Sequence, residues 1–323
     1  MSMRDSNGLS RREMLRGTAL AAGGAWLLMP EWLLALQQAG ATAEAAAQAR
    51  AQMGSTPIEQ VKLTDRLTML SGPGGNVVVL NGPDGKVVVD TFVTTAWDKL
   101  KSTLDGMGDA RVTAVIDTHW HFDHADNNGS FRKLGAKVIA HENTTKRLTQ
   151  THELLGMRFE PAPKEALPTD TFATSHKLSA NGDEFLLSYV PPAHTDTDIS
   201  IRFAKGNVLH LGDLFFNGVY PFIDASTGGS IDGMIASATA TLKQVDGSTK
   251  IVPGHGPLAD RAALTKFRDM MVTVRDRVAK LKKAGRTLDE VTGAAPTKDL
   301  DPVWGKGFLP PAGFVSIVYN TLR

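Results

Sequence analysis

His119-Trp120-His121-Phe122-Asp123-His124 places three imidazoles and one carboxylate within six residues. Neutral imidazole nitrogen and carboxylate oxygen are ligands that hold zinc and similar divalent ions without redox chemistry. Further candidates follow in order: His194 in Ala193-His194-Thr195-Asp196, Asp213 in Leu211-Gly212-Asp213-Leu214, and His255 in Pro253-Gly254-His255-Gly256. Five histidines and two carboxylates suffice for two ions that keep a position open for water, the mark of a catalytic site. His141, His152, His176 and His210 lie outside these motifs and read as ordinary surface or core histidines. His210 is the least clear-cut of them, because it stands three residues before Asp213.

Something rigid must hold these ligands. Each candidate cluster follows an apolar, strand-like run: Val112 to Asp117, Glu184 to Val190, Asn207 to Leu211 and Thr249 to Val252. A loop at the end of a rigid strand is a common place for a site. Upstream, Val61–Leu70, Asn76–Leu80 and Lys86–Asp90 read as successive strands broken by Gly-Pro turns, and Thr94–Met107 as a helix. Asp126 is expected to open a helix through Leu134, followed by strand Lys137–Ala140 and a helix near Glu142–Gln150. Met157 to Asp170 is proline-rich and reads as irregular. The second half predicts strands over 183–190, 199–203, 207–212 and 249–252, with helices over 231–244, Arg261–Ala284 and near Gly313–Leu322. Strands and helices mixed in this way predict an α/β domain, with sheets covered by helices.

The motifs agree in type, order and spacing with those of the metallo-β-lactamase superfamily of metallohydrolases, which the chain resembles from about Lys62 to Leu264. The resemblance implies an αββα sandwich with metals at one edge. It implies that His119, His121 and His194 hold one ion, that Asp123, His124 and His255 hold a second, and that Asp213 bridges both. A bridging aspartate resembles the type II glyoxalases, acyl-homoserine lactonases and phosphodiesterase branches rather than the cysteine-type β-lactamases. This chain has no cysteine at all, and Phe216 stands where those lactamases carry a lysine for the drug carboxylate.

The expected activity is that of a dinuclear zinc hydrolase, with other divalent metals as alternatives. Zinc lowers the pKa of water to about 7, so hydroxide is available to open a small lactone, ester, thioester or β-lactam. Asp123 is expected to orient the nucleophile or pass its proton, and Tyr220 to donate a hydrogen bond to an oxyanion. Trp120, Phe215, Phe216 and Phe222 are further pocket candidates, with core packing as the competing role. Ser71 to Gly75 resembles the superfamily's flap position and is short, which predicts an open mouth. The alternatives are a weak, promiscuous β-lactamase, phosphodiester hydrolysis or iron-dependent sulfur oxidation on the same ligands, and a metal-stabilised binding protein without turnover.

The N-terminus carries a separate message. Ser10-Arg11-Arg12-Glu13-Met14-Leu15-Arg16 resembles a twin-arginine export signal, and the apolar run Gly17–Met29 is short for a membrane span of about 20 residues. Residues 1–41 are therefore read as a removed signal, with cleavage between 41 and 51, residues 42–60 as a linker and 61–323 as the catalytic domain. The expected destination is the periplasm, without stable membrane insertion after processing. A formal net charge of +1 offers no basic field for nucleic acid, so the expected partner is a small-molecule substrate. Oligomeric state does not follow from these patterns.

Overall fold

The computed structural model describes residues 41–322; residues 1–40, where an export signal is expected, lie outside that range. Two sheets face each other. The first has seven strands: β1 (Glu59–Lys62), β2 (Leu67–Gly72), β3 (Gly74–Leu80), β4 (Lys86–Val89), β5 (Val112–Ile116), β6 (Lys137–His141) and β9 (Asp170–Phe172). It is antiparallel up to β4 and parallel from β4 through β9. The second has five: β10 (Ser175–Ala180), β11 (Asp183–Tyr189), β12 (Ile199–Phe203), β13 (Val208–His210) and β14 (Lys250–Val252), with only β13 and β14 parallel.

Alternation along the strands builds the layers. In β3, Val78 and Leu80 turn inward to meet Phe185, Leu187, Ile201 and Phe203 of the second sheet. Val77 and Val79 turn outward onto Leu100 and Leu104 of helix α2 (Trp97–Asp105). The outer face of the second sheet, through Leu209 and Ile251, is covered by α6 (Ile231–Leu242), α7 (Arg261–Lys283) and α10 (Pro311–Thr321). The expected αββα sandwich is the observed one. Its ligand loops follow β5, β11, β13 and β14 and share one edge, because parallel strands end together.

Several local expectations change. Val61–Leu70 is not one strand: it holds the end of β1, a turn over 63–66 and most of β2, and β1 and β2 pair as a hairpin. The helix expected to open at Asp126 starts earlier, as α3 (Phe122–Ala125), and resumes as α4 (Asn128–Lys133). After α5 (Glu142–Leu148), the proline-rich stretch contains β8 (Met157–Phe159), paired with β7 (His152–Leu154). Short helices α8 (Leu288–Gly293) and α9 (Asp301–Trp304) lie between α7 and α10.

Residues 42–60, read as a linker, are largely helix α1 (Ala43–Ser55), N-capped by the Thr42 hydroxyl. Alanine is the best helix former, and Ala45, Ala46 and Ala49 are buried against Trp120, Leu154, Met157 and Phe159. Arg50 makes a bidentate pair with Asp126 at 2.5 and 2.9 Å, with its guanidinium 5.3 Å from the Phe122 and Phe159 ring centroids. This segment belongs to the packed body. No described helix is long and apolar enough to cross a membrane.

Candidate metal centre

Two groups of side chains converge at the shared edge. His119, His121, His194 and Asp213 offer ligand atoms within 4.8 Å of one another, and so do Asp123, His124 and His255. Asp213 faces both groups. Its Oδ2 lies 3.9 Å from His119 Nε2 and 3.4 Å from His194 Nε2. Its Oδ1 lies 3.2 Å from His124 Nε2 and 3.5 Å from His255 Nε2. Asp123 Oδ2 adds contacts of 3.3 Å to His255 Nε2 and 3.6 Å to His124 Nε2.

In His119, His121, His124 and His194 the other ring nitrogen is spent on a fixed acceptor, which aims the free one inward. Asp90 accepts from His124 Nδ1, Thr118 N and Thr118 Oγ1, each at 2.8 Å. Since the Thr118 hydroxyl donates to Asp90, it accepts from His119 Nδ1 at 3.0 Å, leaving His119 Nε2 free. Asp224 Oδ2 faces His121 Nε2 at 3.4 Å, leaving Nδ1, which lies 2.9 Å from His194 Nε2. His194 donates through Nδ1 to the Phe222 carbonyl at 2.9 Å. Asp198 accepts from the backbone of His194 and Thr195 and from the Thr195 hydroxyl, which shapes that loop.

The buried atoms His119 Nε2, His124 Nε2 and Asp213 Oδ1 have no hydrogen-bond partner. Each orphaned polar group costs about 1–3 kcal/mol. Three in one spot, two intermediate imidazole nitrogens and one hard carboxylate oxygen, fit a divalent cation. Electrostatics agree. Burial pushes the imidazole of His119 well down and that of His194 to about 4, which keeps both neutral, the form a metal would need. Burial opposes ionisation of Asp213, but the imidazoles of His255, His124, His194 and His119 hold its carboxyl well below the usual range. Burial also works against the Asp123 anion, and His124 and His255 overcome it, holding that group at about 2.

Glycines make room for this packing. A Cβ on Gly75 would lie 2.0 Å from His124 Cε1, and one on Gly254 would lie 1.9 Å from Asp213 Oδ1. Ser71 to Gly75 is thus a tight turn between β2 and β3 that supports ligands rather than a flap over them.

The four other histidines stay outside both ligand groups. His210 is nevertheless important to the site's shape. It accepts from Gly212 N at 3.0 Å and donates to Asn76 O at 3.1 Å. Asn76 in turn donates through its amide to Pro253 O and Gly256 O, at 2.9 and 2.8 Å, on either side of His255.

Tyr220 requires a correction. Its hydroxyl donates to Asp301 at 2.9 Å, its ring stacks on Phe314 at 4.6 Å and it is fully buried. Burial and the Asp301 carboxylate push its hydroxyl's pKa up, so it serves the C-terminal layer and not an oxyanion. Phe215 is likewise core, against Phe267. Trp120, Phe216 and Phe222 do lie beside ligands: Trp120 4.7 Å from His121, Phe216 stacked on His255 at 5.3 Å, and Phe222 5.9 Å from His121. The sequence reading missed Asp90 and Asp224. Asp90 had a signal, since it ends the apolar run Val87-Val88-Val89 just as the ligands follow theirs.

A family model described as the metallo-beta-lactamase superfamily matches residues 70–255. A probable metallo-hydrolase of Methanocaldococcus jannaschii is 26% identical over 189 residues, covering 55% of this chain and 86% of that protein. Metallo-beta-lactamase IND-1 of Chryseobacterium indologenes is 23% identical over 164 residues, covering 49% of this chain and 64% of its own length. Among solved structures, a metallo-beta-lactamase from Pontibacter korlensis shares the fold with a TM-score of 0.55 at 15% identity, covering 66% of this chain and 98% of that one. The matched span carries every candidate ligand from His119 to His255, and the chain belongs to the metallo-beta-lactamase superfamily.

Proposed function

We propose that this protein is a dinuclear zinc hydrolase that opens a small carbonyl substrate of the lactone, ester or thioester type. The observation that carries this reading is Asp213, whose two oxygens face separate ligand groups. When bound, a zinc pair supplies Lewis acidity toward a carbonyl oxygen and lowers the pKa of water. The chain's own residues do the rest. Asp213 fixes the spacing of the two groups. Asp123, whose side chain keeps 11% exposure at the accessible edge, is placed to orient an attacking water and take its proton. Asp90 and Asp224 hold the imidazoles in the tautomers that present the correct nitrogen.

Lactams rank lower than lactones in this reading. Phe216 is fully buried and stacked on His255, so its position offers no cation to a drug carboxylate. Arg50 and Arg147 are committed to Asp126 and Asp196, and Arg158 of the proline-rich segment to Glu153 and Glu160. A missing charge-assisted bond costs about 1.5–3 kcal/mol, roughly 10- to 150-fold in binding. Metal analysis after zinc loading, followed by steady-state kinetics on lactones, thioesters, penicillins, carbapenems and phosphodiesters, tests the proposal. Two metal equivalents and the highest kcat/KM on a neutral lactone, ester or thioester are expected. One stable equivalent removes the dinuclear reading. A β-lactam or phosphodiester that outruns every lactone and thioester overturns the substrate class.

We further propose export by the twin-arginine route to the periplasm, supported by Arg11-Arg12 and the apolar run after them. Helix α1 is packed from Ala45 onward, so processing at Ala41, just before its cap, preserves the body. Replacing Arg11 and Arg12 by lysine is expected to retain the protein in the cytoplasm, because the receptor reads paired guanidiniums. N-terminal sequencing of the exported form is expected to start at Thr42. Normal periplasmic delivery of the Lys-Lys variant would rule out this route.

A further inference from the structure

Access to the ligands is one-sided. His255 and Asp123 keep 21% and 11% of their side-chain surface exposed, while His119, His121, His124, His194 and Asp213 keep 5% or less. Two half-buried aromatic rings stand at this site, one beside each ligand group. Phe222 lies 5.9 Å from the His121 ring and 6.0 Å from that of His194. Phe308 lies 6.1 Å from the His255 ring and 6.5 Å from that of Phe216.

Phe308 comes from the segment joining α9 to α10, beyond the span matched by the family model. That segment is fastened to the loop after Asp213. Tyr220 donates its N–H to Trp304 O at 2.9 Å and its hydroxyl to Asp301, and Gly307 sits so close to Val219 that a Cβ would come within 2.7 Å. The C-terminal layer therefore brings Phe308 beside His255, the more exposed of the candidate ligands, and Tyr220 anchors the segment that carries it. No lysine or arginine pairs with a ligand carboxylate among the described residues.

We propose that Phe222 and Phe308 are specificity-determining residues, selecting a substrate whose non-reacting part is an uncharged apolar chain. This deepens the hydrolase reading and rests on it. Each methylene of such a chain that moves from water onto the rings tightens recognition by roughly 3- to 4-fold. Lys306, two residues before Phe308 and exposed, is the competing recognition group, and it would favour a carboxylate instead.

The test uses the zinc-loaded exported protein and γ-lactones bearing methyl, butyl and octyl substituents. Binding of the hydrolytically inert γ-lactam analogues of the same series is measured in parallel by calorimetry. The expected result is a kcat/KM that rises with chain length and lactam binding that tightens in step. Phe308→Ala and Phe222→Ala are expected to lower the octyl-to-methyl ratio by roughly 10-fold each, mainly through KM, with metal content unchanged. Phe308→Leu keeps apolar volume and is expected to retain most of the preference, which separates lost contact from lost folding. Flat chain-length dependence in both kinetics and binding overturns the proposal, as does a preference for carboxylated lactones abolished by Lys306→Ala. If no carbonyl substrate is turned over but the lactams still bind in chain-length order, the hydrolase reading fails and the aromatic site stands.

Discussion

Asp213→Ala is expected to strip metal from both ligand groups and to lower kcat/KM by roughly 10³-fold or more, since the ions supply several kcal/mol of transition-state stabilisation. The reason is geometric. Asp213 Oδ1 and Oδ2 face different groups, so one substitution removes a ligand from each. It also removes the anion that balances His124 and His255, both of which Asp213 helps hold in the charged form when no ion is bound. Elemental analysis is the direct readout. Zinc stoichiometry near zero, with circular dichroism unchanged, supports the bridge. Two equivalents in the variant would show that Asp213 is not a ligand, and loss of one equivalent alone would show that it serves a single ion.

Gly75→Ala is expected to produce the next largest effect, although residue 75 carries no functional group. The added Cβ would stand 2.0 Å from His124 Cε1 and 2.4 Å from Nε2, distances at which the ring must move. The ring cannot move freely, because its Nδ1 is bonded to Asp90 at 2.8 Å and both groups are fully buried. Moving the ring breaks that bond and turns Nε2 away from Asp213. Zinc affinity of the group formed by Asp123, His124 and His255 is expected to fall by roughly 100-fold or more, at least the range seen when an outer-shell partner is lost. The other group should be weakened less, because the three atoms nearest the added Cβ all belong to His124. Competitive titration with a chelator resolves the two affinities. Equal weakening of both, or none, would mean that β3 does not buttress His124 selectively.

The sequence by itself determined the candidate ligand types and the order in which they are presented. Histidine and aspartate types, the six-residue cluster from His119 to His124, and the apolar run before each ligand are local features, so they were legible one window at a time. The apolar runs of β3, β4 and β5 and the long amphipathic α7 were legible for the same reason. The alanine-rich sequence of α1 suits a processing region as well as a helix. Only its contact with Trp120, Leu154 and Phe159 shows that it is packed.

The tertiary structure alone decided how those residues work together. Asp90 reaches His124 across 34 residues, and Asp224 reaches His121 across 103. No local pattern encodes such a pairing, because it depends on where the sheets bring separate loops to one edge. Tyr220 illustrates the same limit. A tyrosine seven residues beyond Asp213 suits an oxyanion donor by its chemistry, but its direction is set by burial against Phe314 and by Asp301. Phe308 is the converse case, a phenylalanine with no motif around it that the C-terminal layer carries to His255. Residue type is local information. Direction and neighbourhood are properties of the packed core, where burial and hydrogen-bond satisfaction leave each side chain a single low-energy place.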